Sequence, residues 1–235
     1  MARKRITEQD LLNFRTQAEV LAEEVGTKYE ELDRAKQVAP EPVREMGLLI
    51  LTDEDEDGAR RFAKRAYADG LAVERANIPG YHPIDRFDRT PEWQRRLIQA
   101  QIAYTLVSKR ARRVAVIGHG RAVPLAALIS EQYPVDALIT IGALTGNVGD
   151  RVGRRAYARI RRIAKNNLFS IVCPILAIRT GDMSARASAS CRVFSSGTRS
   201  QDVQMLEIRG ADMANLFTER ENELAEAVYE FLDQG

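Results

Sequence analysis

The 235-residue chain predicts an α/β architecture, a doubly wound and mostly parallel sheet covered by helices on both faces. Three observations lead there. From residue 48 onward, short apolar runs alternate with helical patterns, the rhythm of βαβ units. Those runs are apolar throughout rather than at every second residue, as in strands buried on both faces. With 45% hydrophobic and 29% charged residues, the chain has the make-up of one globular domain large enough to cover such a sheet.

Residues 7–37 open the chain with a helical pattern, in which Leu11, Phe14, Ala18, Leu21, Val25 and Leu32 recur at threes and fours. Gly26 interrupts it and Thr27-Lys-Tyr-Glu30 has the spacing of a capping box, so one helix and two in succession fit equally. The stripe suits a helix lying on its own domain or a seam between two copies of the chain, which makes a homodimer one candidate assembly. Pro40-Glu-Pro42 then makes a stiff break. It separates an N-terminal helical extension, 1–45, from an α/β domain, 46–235. Strands are expected at Leu48–Leu51, Ala72–Ala76, Arg113–Ile117, Ala137–Ile141, Ile175–Ile178 and Val203–Glu207. Helices are expected near 57–69, 91–109, 121–132, 151–166, 185–195 and 218–233.

Charge and chemistry narrow the function classes. Thirty-five basic residues against 33 acidic ones leave a net charge of +2, which by itself points to neither nucleic acid nor a membrane. Two cysteines, Cys173 and Cys191, and two histidines, His82 and His119, form no metal-binding spacing, so neither metal nor cofactor is expected. The basic start is followed by Thr7-Glu-Gln-Asp10, where a secretory leader needs an apolar run. No apolar run approaches the ~20 residues that span a bilayer. A cytoplasmic protein is expected.

One junction carries most of the functional information. Val114-Ala-Val-Ile-Gly-His-Gly-Arg-Ala-Val-Pro-Leu-Ala-Ala-Leu-Ile129 runs from strand to helix through Gly118, His119, Gly120 and Arg121. Further on stand Tyr133-Pro-Val-Asp-Ala-Leu-Ile139 and Cys173-Pro-Ile-Leu-Ala-Ile178. From about Gly47 to Phe231, the series resembles the small carboxylesterase and monoacylglycerol-lipase branch of the α/β-hydrolase family. That family reads GHSxGG at its nucleophile elbow, so the resemblance implies a sheet of α/β-hydrolase type lacking the family's first two strands. It also implies a short cap-like helix at 151–167.

The departures bear on activity. A serine hydrolase needs an oxygen nucleophile, a histidine base, an orienting carboxylate and oxyanion donors. By the resemblance, Gly120 stands at the nucleophile and Gly210-Ala-Asp212 at the histidine turn, while Asp182 in Thr180-Gly-Asp-Met183 matches the acid. Thr52-Asp-Glu-Asp55 stands where the oxyanion loop belongs, and the acidic run Asp53–Asp57 opposes a developing oxyanion. The expectation is therefore a degenerate triad (Gly120, Asp182, Asp212) in a pseudoenzyme acting as a binding, scaffold or regulatory protein. It depends on no other hydroxyl or thiol lying beside an imidazole in the cleft.

The elbow retains free backbone N–H groups at a helix N-terminus, so Gly118, His119, Gly120 and Arg121, with Thr52 and His82, are candidates to hold a small anionic ligand. A dinucleotide fingerprint fits less well: Val123 occupies the third glycine position and no acidic residue follows at the expected strand end. Cys191 reads as a structural thiol. One alternative is an esterase or amidase with a non-standard site built on His119, His82 or Asp182. A second rests on Arg151, Arg154, Arg155, Arg159, Arg161 and Arg162, which crowd one helix and offer cations to an acidic protein or, less readily, nucleic acid. The plain reading of that helix is a solvated surface whose arginine stems cover the core.

Overall fold

A computed structural model describes residues 8–35, 43–52, 56–77, 92–142, 151–181, 189, 191–192 and 196–234. Its six strands form one sheet: β1 Arg44–Thr52, β2 Ala72–Asn77, β3 Ala111–His119, β4 Ala137–Ile141, β5 Ile175–Thr180 and β6 Val203–Ile208. Their order is β2-β1-β3-β4-β5-β6 and every neighbouring pair is parallel. All six expected strands are present. β3 runs two residues past the expected end, which makes His119 its last residue.

Helices α1 Glu8–Ala35, α2 Glu56–Ala68, α3 Glu92–Ser108, α4 Val123–Gln132, α5 Arg151–Asn167, α6 Leu216–Glu219 and α7 Glu221–Asp233 cover the two faces. The strand runs explain themselves here. Leu49, Leu51, Val114 and Val116 face Leu97, Tyr104, Leu125 and Ile160 on one side. Leu48, Ile50, Ala115 and Ile117 face Phe62, Phe217, Leu224 and Val228 on the other. The central strands β1, β3 and β4 are buried on both sides over most of their length, so their side chains alternate in direction while hydrophobicity does not.

The N-terminal segment is one helix, unbroken at Gly26. Thr27 Oγ1 bonds back to the Glu23 carbonyl at 2.9 Å instead of capping a second helix. Leu11, Ala18 and Ala22 are buried, and Phe14 meets Trp93 of α3 edge-on at 5.8 Å. Arg15 donates to the Gln132 carbonyl at 2.8 Å and lies 4.7 Å over the Tyr133 ring. The first half of the apolar stripe, Leu11 to Ala22, thus packs on its own domain. The helix expected at 218–233 starts at Leu216 and breaks at Arg220. The one expected at 185–195 falls mostly outside the described residues. No described helix is long and apolar enough to cross a membrane.

Candidate functional site

From β1 the chain steps outward to β2, then crosses back to β3 and continues the other way. The order therefore reverses between β1 and β3, and open α/β sheets place their sites beyond the carboxyl ends of such a pair. Thr52 ends β1 and His119 ends β3. A 3-10 turn, Gly120–Ala122, leads from His119 into α4.

Two glycines shape this corner. A Cβ on Gly118 would stand 2.6 Å from Ala126 Cβ and 3.0 Å from Val123 Cα, so strand and helix touch where no side chain fits. Gly120 has φ +58, the left-handed region that costs an L side chain about 1–2 kcal/mol. A nucleophile elbow holds its attacking residue on a strand-to-helix turn of this kind. At its apex there is a glycine.

His119 is committed elsewhere. Its side chain is 0% exposed and its ring meets Phe217 edge-on at 5.1 Å. Nε2 lies 2.7 Å from the Met213 carbonyl and Nδ1 lies 2.9 Å from Thr52 Oγ1. A carbonyl only accepts, so Nε2 carries the proton and Nδ1 accepts from the threonine hydroxyl. One imidazole thereby ties the end of β1, the end of β3 and the segment after β6. The expectation that no hydroxyl adjoins an imidazole in the cleft needs correcting, because the Thr52–His119 contact is of that kind. Both partners are buried, Thr52 at 2% exposure and His119 at 0%.

The remaining candidates have separate placements. Asp212 accepts from Ala214 N at 3.0 Å and caps a short 3-10 helix. Its own N–H donates to Glu219 at 3.0 Å. Arg121 is half-buried on the elbow turn. Cys191 is buried and donates from Sγ to the Gly142 carbonyl at 3.3 Å, and burial pushes its thiol pKa up. Gly142 in turn packs against Gly120. Asp182, His82 and Asp53–Asp55 lie outside the described residues. Among the described residues, no group of three or more histidines, cysteines or carboxylates is placed to hold a metal.

In α5, Ile160 and Ala164 are buried while Arg161 and Arg162 are exposed, and Arg159 lies 5.7 Å over the Trp93 ring. The side chains of Arg151, Arg154 and Arg155 are outside the described set. Sequence reasoning missed the Thr52–His119–Met213 bridge. A signal was present: Ala115, Ile117 and His119 are alternate residues of one strand, which puts the imidazole on the core face.

Sheet order, switch point and strand-to-helix turn agree with the α/β-hydrolase fold, and superposition shows that fold. Solved hydrolases share it. The chain superposes with TM-score 0.68 on a structure from a study of LipS and LipT, two metagenome-derived lipolytic enzymes, at 12% identity, covering 83% of this chain and 96% of that one. A Paleococcus ferrophilus monoacylglycerol lipase gives 0.61 at 14% identity over 81% of this chain and 95% of its own. Est1E from Butyrivibrio proteoclasticus gives 0.58 at 16% identity over 83% and 89%. No protein-family model matches the sequence, and neither does any curated protein.

Proposed function

We propose that this chain is a hydrolase-fold protein that binds rather than cleaves, a pseudoenzyme serving as a scaffold or regulator. The observation that carries the reading is the elbow itself: its apex at φ +58 is Gly120, with no atom to attack a carbonyl. Two further features support it. His119 has both ring nitrogens engaged in the interior, and Asp212 serves as a cap. Without nucleophile and base, what remains of a triad enzyme's catalysis falls orders of magnitude below the intact reaction. The ligand we assign to the elbow is a small anion held at the Gly120–Ala122 turn, with Arg121 beside it; Val123 N–H already donates to the Gly120 carbonyl and Pro124 has no N–H to offer. Two buried free thiols, Cys173 and Cys191, suit a reducing, cytoplasmic setting.

A second reading rests on the 2.9 Å contact between Thr52 Oγ1 and His119 Nδ1, a hydroxyl aimed at a basic nitrogen. Exposure of 2% and 0% weighs against it. A fluorophosphonate probe and a panel of p-nitrophenyl esters separate the two. The binding protein gives no labelling and background turnover. Labelling or turnover that vanishes in Thr52→Val would establish the threonine enzyme instead.

A further inference from the structure

Four cations on α2 divide into two pairs. Arg61 and Arg65 reach the closing helices, donating to Thr218 Oγ1 at 3.1 Å and Asn222 Oδ1 at 2.6 Å. Arg60 and Lys64 turn the other way. With Ala63, Tyr67, Val73 and Arg75 they line a groove of about 320 Å³ between α2 and β2, the edge strand of the sheet. Arg44, outside the lining, places its guanidinium 5.9 Å from the Tyr67 ring centre. Asp57 answers Arg60 at 2.6 Å, but both side chains are more than half exposed, and such surface pairs yield readily to a better anion. Glu74 is held by Arg110 instead.

These groups have a consistent ligand chemistry. Arg60 and Arg75 carry planar forks that match phosphate oxygens. Arg60 and Lys64 stand one helical turn apart, about 5–6 Å, so they can engage successive anionic groups. Tyr67 is 43% exposed beside them, a platform for a planar ring. The volume lies at the small end of the range for ligand sites. We infer that this groove binds a nucleoside polyphosphate, with the base on Tyr67 and the phosphates on Arg60, Lys64 and Arg75. The site lies on the edge-strand side of the sheet and is independent of the elbow.

Calorimetric titration of the full chain with ATP and with inorganic tripolyphosphate, both free of magnesium, tests the assignment. Both bind, ATP more tightly. Lys64→Glu weakens both on the order of tenfold or more. Tyr67→Ala brings ATP down to the level of tripolyphosphate, and Arg161→Glu on α5 changes neither. Circular dichroism checks that each variant is folded. Four results overturn the proposal: no heat with either ligand at millimolar concentration, loss through Arg161→Glu but not Lys64→Glu, ATP affinity indifferent to Tyr67→Ala, or Lys64-dependent capture of a poly-glutamate peptide without tripolyphosphate binding. The last would reassign the groove to an acidic protein.

Discussion

Replacing His119 by alanine separates a structural imidazole from a catalytic one. Truncation removes two hydrogen bonds, to Thr52 Oγ1 and the Met213 carbonyl, and the edge-on contact with Phe217. Each neutral bond contributes about 1 kcal/mol net, and the buried polar groups that lose the imidazole together add about 1–3 kcal/mol. The ring-sized void adds a packing loss. Some relaxation around the void offsets part of that sum, and His119→Ala should cost about 3–5 kcal/mol. For a chain of this length that corresponds to a drop in Tm of roughly 6–20 °C. Urea unfolding followed by circular dichroism and by the fluorescence of Trp93, the chain's single tryptophan, reads it directly. Thr52→Val and the double variant complete a cycle whose coupling should be about 1 kcal/mol. A loss under about 1 kcal/mol, or a gain in stability, refutes the reasoning, since a gain is what relief of a strained functional residue produces.

Two other outcomes follow from named contacts. Gly118→Ala forces a Cβ to within 2.6 Å of Ala126 Cβ, and overpacking of this kind should cost about 1–3 kcal/mol in the same unfolding assay; a neutral result would mean that β3 and α4 separate freely. Burial pushes the Cys173 thiol from 9.0 up to about 11, so the folded state holds its proton more tightly than the unfolded chain. That stabilisation is complete below pH 9 and is lost as pH rises towards 11. The stability of the native protein should therefore fall between pH 9 and 11, less steeply in Cys173→Ala, and identical slopes would contradict the burial argument.

Much of the fold was legible in local pattern. Continuous apolar runs such as Leu48–Leu51 and Ala137–Ile141 signalled strands buried on both faces, and all six expected strands are present. Boundaries were less legible, because hydrogen bonding along a ladder continues as long as a neighbour is there to pair. β3 extends to His119 since Ile141 of β4 lies opposite. Gly26 and Thr27 looked like a break, yet packing against α3 carries α1 straight through them. The elbow was half legible. Its glycines mark a tight turn in any sequence, but the fate of His119 is set by Thr52 and Met213, residues 67 and 94 positions away.

Periodicity and composition alone determined that this chain folds as a doubly wound sheet and that glycine occupies the apex of its elbow, because both are properties of neighbouring residues. Tertiary structure alone decided that the only described imidazole is a bolt between three segments, and that three cations and a tyrosine line one groove at the sheet's edge. Contacts of that kind depend on which distant side chains the closed fold brings within a few ångströms of each other, and no local pattern encodes that.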